Sequence, residues 1–363
     1  MQNTVFRGIG VLLLAAVLPT PAPAADDVVM KAMRDELNRS MQQLQLEQLE
    51  KPYFISYRVQ EQTSLDTSAT FGALISGGLA RARYLLVQVR VGDYQSDNSN
   101  FMTYPPQANG LTETVLLPLD DDYQELRRQI WLTTDTAYKA ALEMLSRKRA
   151  ALENRKARKN LPDFSKETPA TSLEAFSPIK MDLAQAEGLV RNLSALFRQS
   201  PDIYTSSASL GITDTRSWYL NSEGSAVTDE TSAATLMATA QTQALDGTML
   251  PDWVIVSARS LDALPKEFEL AAKIRTMADR LTRVRQAPVV DRYNGPVLFD
   301  GVAGAEAFSQ VFAPKLLAMR TPASDNPQME AYAGQNVSRL QDRLGARVLP
   351  SFMSVVNDPT QAS

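Results

Sequence analysis

Apolar residues recur at helical spacing from Asp26 to about Glu50. Met30, Met33, Leu37, Met41 and Leu44 fall on one side, with Lys, Arg, Glu and Gln between them. This predicts an amphipathic helix whose Met-rich stripe faces a core, ended by Pro52. The period then changes to two. Tyr53, Ile55, Tyr57 and Val59 alternate with more polar neighbours, Thr67 to Ile75 is a second extended stretch, and Leu85, Val87, Val89 and Val91 alternate with Leu86, Gln88 and Arg90. With a turn at Gly77-Gly78, the expectation for roughly 52–93 is a meander of three antiparallel strands with one dry face, followed by a loop from Gly92 to Gly110.

Helical spacing returns after Asp120-Asp121-Asp122 and runs to about Ala157, through Leu126, Ile130, Ala137, Ala141 and Met144. Acidic residues suit the start of such a helix. Asn160 to Ser172 is polar with two prolines and reads as a linker. Ser177-Pro178 reads as an N-cap with proline in the first turn, opening a helix through Leu183, Ala186, Leu189, Leu193 and Leu196. From about Pro201 to Ser260 the pattern is β, with turns at Asn221-Ser222-Glu223-Gly224 and Asp246-Gly247. A helix with Leu270, Ile274, Met277, Leu281 and Val284 follows, stopped by Pro288. Gly295 to Phe299 then predicts a short strand, Val302 to Ala313 a short helix, Arg320 to Asn326 a loop, and Ala346 to Val356 one more apolar piece. The expected fold class is α+β, with antiparallel sheets and packed helices.

The first 24 residues carry a different pattern. Arg7, the apolar run Ile9–Leu18 and the small-residue site Ala22-Pro23-Ala24 predict a secretory signal peptide, and hence a periplasmic or secreted protein. The run is short for a membrane span, and none is expected later.

Composition excludes more than it suggests. The 363 residues include no Cys and no His. Thiolate and Ser-His-Asp catalysis, HExxH zinc sites and every imidazole ligand are therefore unavailable. A net charge of −4 and a pI near 5.2 offer no bulk attraction for nucleic acid.

Four sequence features bear on chemistry. Ser177-Pro178-Ile179-Lys180 is a literal S-x-x-K, and Ser324-Asp325-Asn326 an S-D-N, but no K-T-G follows; an N-cap accounts for Ser177 better than a nucleophile does. Asp93, Asp97, Asn98 and Asn100 make an oxygen-rich loop without the EF-hand frame, read as Asx turns at a strand end. Asp120–Asp122 could hold a hard cation but fits a helix start. Arg147, Lys148, Arg149, Arg155, Lys156, Arg158 and Lys159 form a basic run, read as a solvated helix face.

Three blocks carry a resemblance: Tyr53 to Asp93 with its continuation to Asn100, the hairpin Tyr219-Leu-Asn-Ser-Glu-Gly224, and "GPVLFDGVAGAEAFSQVFAP" from Gly295 to Pro314. Together they resemble exported members of the TldD/PmbA peptidase family, in its PmbA-like version. The resemblance implies an α/β N-terminal region over 25–288, in two parts (25–160 and 173–288) around the polar linker 160–172. It implies the opening of a β-rich C-terminal domain over 289–363, shorter than the family's own. It also implies homo- or hetero-oligomers with a TldD-type subunit carrying H-E-x-x-x-H and a Cys ligand, and handling of peptides. Aligned on that motif, the positions are Phe308, Ser309 and Ala313, none of which can hold zinc. The expectation is therefore a chain with no catalytic, cofactor-binding or metal residues, silent alone, with a stand-alone peptide- or protein-binding module as the alternative. If the C-terminal domain is cut short, Leu349 to Val356 needs cover from another chain.

Overall fold

The computed structural model describes residues 27–153, 161–289, 292–316, 320–335, 340, 343, 345–356 and 358. The predicted signal peptide lies outside the described residues. The fold is α+β.

Helix α1 (Val28–Gln43) is capped by Asp27, whose carboxylate accepts from the Val29 amide at 2.8 Å and from Trp218 Nε1 at 2.7 Å. It stops short of the expected Glu50. Beyond Leu44 the apolar spacing lapses, and Tyr138 Oη takes the Leu46 amide and donates to the Glu50 carbonyl, holding the chain in a non-helical path.

Strands β1 (Pro52–Thr70) and β2 (Ala73–Val91) form one long antiparallel hairpin, so the expected three-strand meander is two strands. The turn is Phe71-Gly72, both at positive φ (+44° and +81°). Gly77-Gly78 runs extended inside β2, opposite Thr67 and Asp66. Register decides this: Ile55 faces Val89 and Val59 faces Leu85, and those dry-face pairs close on Phe71-Gly72.

Inside the loop expected from Gly92 to Gly110 lies the two-residue β3 (Phe101–Met102). β4 (Glu113–Leu117) pairs outside β2, and α2 (Tyr123–Leu152) starts on Asp122, which accepts from the Glu125 amide. The end of the expected linker overlaps β5 (Thr171–Leu173). Helix α3 (Leu183–Ala195) is capped by Asp182, not Ser177. Residues 174–182 instead cross the sheet as a strap. Phe176 meets Trp218 edge-on, the Ser177 amide donates to Glu230, and Ile179 and Met181 pack on the core. Those apolar contacts keep the segment out of the helix.

β6 (Thr205–Asn221), β7 (Ala226–Gln243) and β8 (Met249–Ala258) follow, joined at the two predicted turns, and then α4 (Glu267–Arg285). The last part holds α5 (Val302–Val311), α6 (Ala313–Leu316), β9 (Ala323–Ser324) and α7 (Pro327–Gln335). Gly295–Phe299 is not a strand: among the described residues no partner strand lies beside it, and Leu298 is 90% exposed. The expected loop at 320–326 does contain a strand, β9, parallel to β3.

The main sheet runs β4-β2-β1-β6-β7, with β5 and β8 both on β7. Its helices cover one face. α1 and α2 close a cluster with Ile55, Tyr57, Val59, Val87 and Trp218, while α3 and α4 close another with Leu65, Leu210, Ile212 and Leu236. Strands β1 and β6 pass through both. Among the described residues no helix is long and apolar enough to cross a membrane.

Candidate functional site

The oxygen-rich loop does receive a cation, and the chain supplies it. Lys148 Nζ donates to the carbonyls of Asp97 (2.8 Å) and Ser99 (2.7 Å) and to the Asp163 carboxylate. Three acceptors match its three donors, so burial leaves none unpaired. Lys148 is 4% exposed, which corrects its reading as part of a solvated face; Arg147 and Arg149 do sit at the surface, on Glu143 and Glu50. The rest of the run, Arg155 to Lys159, lies outside the described residues. Asp163, in the expected linker, is drawn into the fold by Lys148, Arg320 (3.0 Å) and the Asp97 amide (3.0 Å).

Asx turns form as expected, at Asp93 and at Asp97. Asp97 is fully buried and also accepts from Tyr53 Oη (2.7 Å), Arg90 (2.7 Å) and the Ser99 hydroxyl (2.5 Å). Burial would raise its carboxyl, but the bonds from Ser99 and Tyr53 and the Arg90 charge outweigh that and hold it below the ordinary range. Tyr53 is pushed up in turn by burial and by the bond to Asp97. Arg90 lies over the Phe164 ring at 3.9 Å. With its cation position filled by an ammonium, this loop is a structural joint.

A second polar group crosses the sheet between the two apolar clusters. Arg83, Glu61, Arg216 and Glu230 are successive cross-strand partners on β2, β1, β6 and β7. Arg83 binds Glu61 (2.8 Å) and Asp121 (2.8 Å), Arg81 binds Glu61 (2.7 Å), and Arg216 binds Glu230 (3.2 Å). Asp121 thus serves an ion pair rather than a metal. Beside the ladder, Asp214 is 5% exposed and its Oδ1 has no partner among the described residues; burial, then the nearby Glu230 charge, raises its carboxyl. The signal was in the sequence: Glu61, Asp214 and Arg216 stand at the inward phase of alternating strands, in step with Val59, Ile212 and Trp218.

The remaining candidates are dispersed. Ser177 lies in the strap, its amide bound to Glu230, and Lys180 pairs loosely with Asp182 at 3.6 Å, so S-x-x-K is on no helical turn. In S-D-N, Ser324 Oγ accepts the Asn326 amide as a local turn. Phe308 packs on Phe312 and Ser309 bonds back to the Glu306 carbonyl. Zinc does not fit Phe308, Ser309 and Ala313, and among the described residues no group of three or more carboxylates could hold a metal ion.

One part of the sheet is left open. β4 pairs β2 only over 83–87, so the outer edge of Ser76–Ala82 has no strand beside it among the described residues. Ser76 to Arg81 are all exposed. The face away from the helices is Ser-, Thr- and Gln-rich along β1 and β6.

Neither a protein-family model nor a curated protein matches the chain. Solved structures do. TldE from Thermococcus kodakarensis is 9% identical, with 69% of this chain and 47% of that one covered and a TM-score of 0.40. A candidate modulator of DNA gyrase from Bacteroides thetaiotaomicron is 10% identical over 70% and 49%, TM-score 0.39. Another, from Thermotoga maritima, is 10% identical over 62% and 44%, TM-score 0.38. The chain spans about half the length of these structures or less.

Proposed function

We propose that this chain is an exported, catalytically silent PmbA-like subunit that supports peptide handling or proteolysis alongside a metal-bearing TldD-type partner. The observation that carries the reading is chemical. Within a block that resembles the family, the positions of the zinc motif are Phe308, Ser309 and Ala313, in a sequence with neither imidazole nor thiol. Peptide handling without a catalyst then rests on backbone groups, and the open edge of β2 offers them. Export rests on the pattern of residues 1–24. The test is pull-down with the tagged chain from periplasmic extract, followed by metal analysis. Recovery of a zinc-loaded protein carrying H-E-x-x-x-H is expected. Peptide hydrolysis by the pure chain alone, abolished by chelator and restored by zinc, would overturn the proposal.

The same open edge favours a second reading, a stand-alone peptide- or protein-binding module. Peptide binding by the pure chain, with no protease recovered in the pull-down, would select it over the first.

A further inference from the structure

Resting on the peptide-handling reading above, we propose that the outer edge of β2 over Ser76–Ala82 takes an extended peptide as an added strand, with a lysine or arginine of that peptide set opposite Gly77 and paired with Glu187. Between the bulge at Ile75 and the charge of Arg81, the edge carries little of what usually protects one. It holds neither Lys nor Pro, and its side chains are mostly small: Ser76, Gly77, Gly78, Ala80 and Ala82. A bulge limits it at one end, where Ile75 is the extra residue between the pairs Leu74–Ala69 and Ser76–Ser68. At the other end β4 begins, so an added strand would lie in line with β4.

Glu187 of α3 supplies the charge. A Cβ at Gly77 would collide with Glu187 Oε1 and stand 3.3 Å from its Cδ, so glycine here lets the carboxylate lie directly over the edge strand. Glu187 has no hydrogen-bond or ion-pair partner among the described residues. A residue opposite Gly77 would project its side chain to that same side, with its Cβ about 5 Å across. A long basic side chain reaches the carboxylate from there. Leu79 is next on that side and 56% exposed, which suits an apolar neighbour two residues from the base. Arg81 is already held by Glu61. A second copy of this chain paired about Gly77 would set two Glu187 carboxylates against each other, so charge selects a basic foreign strand over self-pairing.

The test is fluorescence anisotropy of labelled Thr-Val-Thr-Lys-Thr-Val-Thr against the full chain. Three comparisons go with it: the peptide with Glu for Lys, the Lys peptide with N-methylated amides beside the lysine, and the Glu187→Gln variant. The Lys peptide is expected to bind best, with its preference over the Glu peptide falling about fivefold in Glu187→Gln. N-methylation should abolish binding. Absence of binding, indifference to N-methylation or an unchanged preference in Glu187→Gln would each overturn the proposal. So would dimerisation of the free chain that Leu79→Lys abolishes in light scattering. Neither partner nor zinc is in the mixture, so failure of this test and failure of the pull-down are separate results.

Discussion

Asp97 accepts hydrogen bonds from Tyr53, Arg90 and Ser99, whereas Asp214 leaves Oδ1 with none among the described residues. Their pH effects run in opposite directions. Asp97 is depressed in the fold, so its contribution is complete above the unfolded carboxylate value and is lost as pH falls through the lower folded value. Asp214 is raised, so it favours the fold under acid and loses that advantage as pH climbs through its folded value. Asp214→Asn should therefore stabilise the protein by about 1 kcal/mol at pH 7 in urea unfolding, with the gain shrinking under acid. Lys148→Met removes the internal cation and leaves Asp163 with Arg320, the Asp97 amide and Asn100 Nδ2, short of its buried countercharge. A loss of about 3 kcal/mol is expected in the same assay.

At the scale of elements, the bodies of α1 to α4 and the β6–β7–β8 run were readable because apolar spacing and turn residues agreed, whereas the polar α7 showed no such spacing. The β1–β2 turn was misplaced because Gly-Gly is a strong local signal, while register, a long-range property, chose Phe71-Gly72. The strap was misread for a related reason: Ser177-Pro178 has local cap chemistry, but Phe176, Ile179 and Met181 are held by the sheet. Lys148 stands four residues after Met144, in the inward phase of α2, but what satisfies it there is not local: its acceptors come from residues about fifty positions earlier and from Asp163. Gly110 shows how tightly α2 meets the preceding loop. It sits at φ +76°, and an added Cβ would collide with the Ala137 carbonyl and stand 2.7 Å from Ala141 Cβ. Gly110→Ala should cost about 2–4 kcal/mol, read as a lowered urea midpoint.

For the molecule as a whole, the lack of His and Cys was legible as residue identities, while the open β2 edge was not, because it depends on where β4 stops. The charged ladder was legible in phase but not in partner. Its placement between two apolar clusters on one sheet face has a thermal consequence. Were each half to melt by itself, β1 and β6 would have to fray at Glu61 and Arg216 while their other ends stayed paired. Scanning calorimetry should accordingly give a single endotherm whose van't Hoff and calorimetric enthalpies agree, and two resolved peaks would mean that the ladder is a seam where the halves part.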